Sequence, residues 1–252
     1  MKAWIVAGVI FVLMLLEVAL SVARAEPVVV QFTEGVTRGF PVLRALSGEK
    51  LAQGDLSQVS RGDQVESRLR FRFGDGSLYD ETVVFSQRGV FTLLSYRLVQ
   101  QGPSFPETIE AAIDRDTGQY TVRYRADEDS PEETIAGHFE LPADVYNGML
   151  GTLMKNLAPA ANVTLQIVAF TPKPRLVKLR LVSQGPDEVL VADQLLTTRR
   201  YLVKPELGLL ASLLIMEPAP IQCWIVDGPA PGFLRFQGPL YFLGPVWRIE
   251  LN

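Results

Sequence analysis

Between residues 64 and 73, apolar and charged side chains alternate one by one. Val65, Leu69, Phe71 and Phe73 take the odd positions, with Ser67 the exception, and Glu66, Arg68, Arg70 and Arg72 take the even ones. A repeat of two sends the two sets to opposite faces of a β-strand. Gly74-Asp75-Gly76-Ser77 follows, rich in residues that tolerate a turn, and Leu78 to Ser86 resumes strand character. Residues 64–86 therefore read as a β-hairpin. Gln87-Arg88-Gly89 turns the chain into Val90 to Val99, which extends the hairpin to a three-strand antiparallel meander.

The same pattern predicts further strands at Glu107 to Asp114, at Tyr120 to Tyr124 and at Thr134 to Leu141. After residue 160 it predicts strands at Val163 to Thr171, Arg175 to Ser183, Glu188 to Gln194 and Thr197 to Lys204. The last three are Ile221 to Asp227, Phe233 to Gln237 and Val246 to Leu251. Many short strands at near-even spacing indicate a barrel, half-barrel or sandwich. Residues 26–60 carry the weakest pattern. Val28 to Phe32 reads as a first strand, and Ser47-Gly48-Glu49-Lys50 and Gln53-Gly54-Asp55 read as turns.

Two segments break the alternation. Pro142 to Leu157 places Val145, Met149, Leu150, Leu153, Met154 and Leu157 at helical spacing, with Asn147, Thr152, Lys155 and Asn156 opposite. This predicts an amphipathic helix laid on one face of a curved sheet, with Gly148 and Gly151 weakening it by about 1 kcal/mol each. Pro205 to Met216 is apolar almost all round and too short to span a bilayer, so it reads as core or as a lid over an apolar cavity. The fold class expected is mainly β (α+β), an antiparallel β half-barrel or open barrel with an inserted amphipathic helix. No repeat or low-complexity linker divides residues 26–252, so a single β-rich domain is expected there, with loop 171–174 as the one candidate seam.

The first 25 residues have a different character. Lys2 is followed by the apolar run Trp4 to Leu16, and Ala23-Arg24-Ala25 puts small residues where a signal peptidase reads. This is the order of a cleavable export signal, and it predicts a periplasmic or extracellular protein cleaved after Ala25. Residues 26–252 hold 22 basic and 27 acidic residues, a net charge of −5. Mild acidity argues against a nucleic-acid partner, and the mature chain is expected not to span a membrane. One cysteine, Cys223, permits no internal disulfide and no cysteine-based zinc site.

Candidate chemistry is sparse. His138 is the sole histidine and has no nucleophile motif beside it. Asp80 and Glu81 are adjacent in a strand and point to opposite faces, so they cannot act as a carboxylate pair. Asp114 and Asp116 flank a turn, where Asp is common for backbone reasons. Asp127 to Glu133 has the charge of a calcium loop without its spacing. Lys178 and Arg180 share one face, opposite Val177, Leu179 and Leu181, and read as a solvated outer surface, with a patch receptive to anionic head groups as the functional alternative. The aromatic and aliphatic residues are the remaining resource. Phe71, Phe73, Phe85, Met149, Leu153, Tyr201, Leu210, Leu214 and Trp224 are the candidates to line a site for an apolar, lipid-like ligand. No cofactor or metal is implied.

A signal peptide, a strand meander, helix laid over the concave face and no catalytic set together resemble the LolA/LolB-like half-barrels of the bacterial envelope. Asp75-Gly76-Ser77-Leu78-Tyr79-Asp80-Glu81, Asp114 to Gln119, Leu141 to Gly148 and Gly244 to Leu251 also resemble uncharacterised secreted bacterial β-rich proteins. The first resemblance implies binding of hydrophobic cargo, so a non-enzymatic carrier or sensor is expected. The alternatives are a structural or interaction module with a filled core, and a hydrolase with an unrecognised site. A carrier predicts a large apolar cavity, a module predicts a solid core with an exposed apolar patch, and a hydrolase predicts a polar cleft with perturbed acids.

Overall fold

The computed structural model describes residues 27–170, 173–206 and 219–251. Residues 1–25, where an export signal is expected, residues 171–172 of the candidate seam, and most of the 205–216 segment, with Leu210 and Leu214, lie outside the described residues.

Fifteen strands are described. The first half holds β1 (Thr37–Gly39), β2 (Val42–Ala45), β3 (Lys50–Arg61), β4 (Gln64–Phe73), β5 (Leu78–Ser86), β6 (Thr92–Gln101), β7 (Thr108–Asp114), β8 (Gln119–Arg125) and β9 (Glu133–His138). One helix, α1 (Leu150–Lys155), precedes the second half. That half holds β10 (Asn162–Phe170), β11 (Pro174–Val191), β12 (Gln194–Glu206), β13 (Ile221–Val226), β14 (Gly232–Gly238) and β15 (Trp247–Glu250).

All the strands join one antiparallel sheet in the order β10-β11-β12-β13-β14-β15-β2-β3-β4-β5-β6-β7-β8-β9, with β1 paired to β3. Two meanders, one from each half of the chain, are stitched together where β15 pairs β2, with Arg248 opposite Arg44 and Ile249 opposite Leu43. The sheet curls until β10 faces β6 and β7 again. Phe170 of β10 stacks on Tyr96 of β6, with ring centroids 5.8 Å apart and planes 3° from parallel. It also packs against Ile109, Ala111 and Val122. β9 and β10 remain the two ends of the hydrogen-bonded path, so the sheet is open.

The alternation over 64–86 delivers what it predicts, since β4 and β5 begin and end at the expected residues. Elsewhere the chain departs from its pattern for local reasons. Gln53-Gly54-Asp55 is no turn but the middle of the 12-residue β3. Gly54 is there because Pro41 crosses over it, and a Cβ would stand 2.6 Å from the Pro41 carbonyl oxygen. Val28 to Phe32 is not a strand beyond a single pairing of Val29 with Val90. Apart from Val30 N, which donates to the Gly89 carbonyl, its bonded amides go to side chains: Val28 N donates to the Tyr146 hydroxyl, and Gln31 N and Phe32 N to Asn156 Oδ1. The two strands expected at 175–183 and 188–194 are one 18-residue strand, β11, with an irregularity between Ser183 and Pro186.

The helix is shorter than its spacing predicts. Only Leu150–Lys155 is helical. Gly148 has φ of +69°, which a right-handed helix cannot accept, so the chain turns there. Upstream, Val145 pairs in parallel with Gln166 of β10, and Tyr146 N donates to the Gln166 carbonyl at 2.9 Å. Asn147 and Asn156, expected on a polar face, are buried at 6% and 2% exposure. Asn147 bonds both backbone groups of Val168 through its side-chain amide, in place of a neighbouring strand.

Residues 139–157 thus form a plug inside the curl. Val145, Tyr146, Met149, Leu153 and Met154 are buried at 0–1% exposure among Val83, Phe85, Leu165, Leu181, Tyr201 and Ile225 from both walls. Each such side chain contributes about 2 kcal/mol by leaving water. A second core sits at one end of the sheet: Leu43, Phe71, Phe73, Tyr79, Phe105, Trp247 and Ile249.

Candidate functional site

The sequence candidates do not converge on one place. Phe85, Met149, Leu153 and Tyr201 belong to the plug core, whereas Phe71 and Phe73 belong to the second core. Trp224 lies in a small cluster with Val189 and Leu234, where its indole Nε1 donates to Asp187 Oδ2 at 2.9 Å. Every one of these seven side chains is packed against neighbours, at 8% exposure or less.

One polar constellation lies on the inner wall. Strand β5 presents Tyr79, Glu81, Val83 and Phe85 inward, and Glu81 stands where the alternation calls for an apolar residue. The Tyr96 hydroxyl donates to Glu81 Oε1 at 2.7 Å, and the Tyr79 hydroxyl reaches the same oxygen at 3.3 Å. Gly148 of the plug presses on this nest: a Cβ there would meet Val83, Glu81 and the Tyr96 ring at 3.3–3.4 Å. Burial pushes the Glu81 carboxyl above its ordinary range, against the pull of the two phenolic hydrogen bonds. Both tyrosines are pushed well up, first by burial and then by the adjacent carboxylate. Glu81 is half-buried on the inner wall. The alternation carries the signal for this nest, an acid in an inward register flanked by tyrosine and valine. The pairing of Glu81 with Tyr96 arises only from the β5–β6 register.

Asp80 faces the other way, as alternation requires. It accepts from Arg68 through both carboxylate oxygens at 2.8 and 2.6 Å, and from Arg70 Nε at 2.9 Å. Burial raises its carboxyl, but the hydrogen bonds and charges of the two guanidinium groups outweigh it and hold the group below its usual range. Asp114 accepts from the Thr117 amide and hydroxyl, which makes it a turn residue. His138 is exposed and lies over Gly118. Cys223 is buried in the plug core, and burial pushes its thiol up to about 12. Lys178 and Arg180 are exposed while Leu179 and Leu181 are buried.

Two clefts, of about 350 and 200 Å³, lie on the outer face of β5–β8. The Thr82–Arg97–Ala112–Thr121 row crosses the first, and Glu110 and Arg123 line the second together with Val99 and Ile109. Among the described residues, no group of three or more His, Cys, Asp and Glu is placed to hold a metal ion. No helix among them is long and apolar enough to cross a membrane.

No family model matches the chain, and no curated protein matches it. Among solved structures it is similar to a beta-barrel-like protein of domain of unknown function DUF1849 from Brucella abortus. The two share 9% identity over 88% of this chain and 98% of that one, with a TM-score of 0.47.

Proposed function

We propose that this chain is an exported, non-enzymatic binding module of the cell envelope that meets its partner at its surface. The carrying observation is that the space enclosed by the curled sheet is taken by the chain's own plug, with Tyr146, Leu153 and Met154 at 0% exposure and Met149 at 1%. A cargo protein for acyl chains needs some hundreds of Å³ of apolar volume for its ligand. Here that volume holds side chains fixed by a polar frame. Arg115 donates to the carbonyls of Leu93, Leu141 and Pro142, Lys155 pairs with Glu34, and Gln58 Nε2 donates to Glu34 Oε2 at 3.0 Å. Export rests on the order of residues 1–25.

A carrier or sensor of an apolar ligand, in the manner of the LolA/LolB-like proteins the sequence resembles, is the second reading. One observation favours it: Glu81, hydrogen-bonded by the Tyr96 and Tyr79 hydroxyls, sets a polar group on the inner wall beside the half-buried Leu98. Protein purified without detergent, extracted with organic solvent and analysed by mass spectrometry separates the two. The module reading expects no stoichiometric lipid. An acyl-chain species at one per protein overturns it in favour of the carrier.

A further inference from the structure

At the end of the sheet that holds the second core, two neighbouring turns carry large apolar residues on their corners. The turn after β2 runs Ala45-Leu46-Ser47-Gly48, closed by Gly48 N donating to the Ala45 carbonyl at 3.0 Å, and Leu46 is 51% exposed. The turn before β15 runs Tyr241-Phe242-Leu243-Gly244, closed by Gly244 N donating to the Tyr241 carbonyl at 3.0 Å. Phe242 and Leu243 are 53% and 48% exposed. The turns are adjacent because Ala45 pairs with Trp247. Tyr241 anchors the second one, packing edge-on against both Trp247 and Phe105.

Leu243 has φ of +58°. That left-handed position suits glycine or asparagine, and a branched, bulky residue there is strained. Folding gains nothing from an exposed leucine in a conformation it resists. A residue that costs stability and stays in water is accounted for by what it touches outside the fold.

Behind these corners the outer face is cationic. Arg248 stands directly opposite Arg44, and Arg44 opposite Lys50, so three like charges share one row across β15, β2 and β3. Like charges in direct cross-strand pairs destabilise a sheet. Glu250, on the same strand as Arg248, is already divided between Arg235 at 2.7 Å and Arg44 at 3.8 Å. Arg248 has no ion-pair partner among the described residues, and its Nε is buried without a hydrogen bond.

From this geometry we infer that this end of the sheet docks on a lipid surface bearing anionic headgroups. The inference rests on the reading that the partner is met at the surface. Arg44 lies two residues behind Leu46 along an extended strand, a setback of about 7 Å. Apolar groups of surface-bound proteins enter the headgroup boundary by about 5–10 Å. The corners therefore reach the acyl boundary as the guanidinium row reaches the phosphates.

The test is flotation of the purified protein with vesicles of phosphatidylcholine alone, or with phosphatidylglycerol as about one lipid in three. Binding is expected on the anionic vesicles, weaker on the neutral ones, and lost at about 0.5 M salt. The double variant Phe242→Ser with Leu243→Asn suits the turn at least as well as the natural residues, so it stays folded by circular dichroism, and its affinity falls more than ~10-fold. Arg248→Gln and Lys50→Gln each cost about fivefold. The inference is overturned if neither vesicle floats the protein, if the variants float as the natural chain does, or if the apolar corners prove to join two copies in solution and only that association is lost. A lipid found inside the purified protein would overturn the module reading alone, because it has no bearing on the headgroup dependence of flotation.

Discussion

The Gly54 amide donates to the Pro41 carbonyl at 2.7 Å, and a Cβ on Gly54 would stand 2.6 Å from that oxygen and 2.7 Å from the Phe71 ring. The loop between β1 and β2 thus lies directly on β3, over a Phe71 that is 0% exposed. Neither the carbonyl nor the packed ring can withdraw. Gly54→Ala should therefore destabilise by about 1–3 kcal/mol, as overpacking does. Urea unfolding should show a lower midpoint at unchanged slope. The exposed neighbour Gln53, changed to Ala, serves as a control within about 0.5 kcal/mol of the natural chain. Equal stability of the two variants would mean that the close approach is not maintained in solution.

Arg115 ties the plug to the wall. Its Nη1 and Nη2 donate to Leu141 and Pro142 at 2.9 and 3.0 Å, while Nε reaches the Leu93 carbonyl. Burial lowers the guanidinium's pKa, with nearby Tyr146, Asp116 and Asp144 opposing the fall. Replacement by Met keeps much of the volume and removes all three donors, which should cost about 2–4 kcal/mol. Lys cannot reproduce the fork and should restore little. Limited proteolysis followed by mass spectrometry should show cleavage within residues 139–149 rising first. If that segment stays as protected as in the natural chain, Arg115 does not hold the plug.

Glu81 links stability to pH with a definite sign. Its carboxyl titrates above the usual 4.5 in the fold because it is buried. The folded state therefore holds that proton more tightly than the unfolded chain does. Its contribution is fully present below 4.5 and is lost as pH rises through the raised value. Glu81→Gln should leave the protein more stable than the natural chain at neutral pH, with the advantage shrinking toward acid. Unfolding by urea at about pH 4 and pH 7 measures both differences. An advantage that is the same at both would show that the carboxyl is not raised.

How far the sequence could be read depended on how local each signal was. The alternation in Gln64–Phe73 and Leu78–Ser86 is a property of consecutive residues, and it located β4 and β5 to their ends. The register that makes Ala45 a neighbour of Trp247 spans the whole chain, and no local pattern encodes it. β3 was hidden because Gly54 looks like a turn until Pro41 is seen above it. The helical spacing of Val145 to Leu157 reported real burial but the wrong conformation. Burial on a plug enclosed from all sides needs no single face, so Asn147 and Asn156 can be interior too. Of the candidate residues, sequence identified members of both cores and could not say that Phe73 and Phe85 belong to different ones. The strained turn at Leu243 left no trace in sequence beyond one apolar pair before a glycine.

The stitch between β15 and β2 also orders events in time. β2 is made early and its partner on that side is the last strand of the chain. Until β15 is synthesised, the first meander has an unpaired edge at Val42–Ala45. Local hairpins such as Gln64–Ser86 can close within microseconds, but the joint between halves awaits contact between residues some 200 positions apart, which is the slow class of folding event. A nascent chain of this topology thus keeps an open strand edge until its last strand is made, the condition in which chaperones are needed.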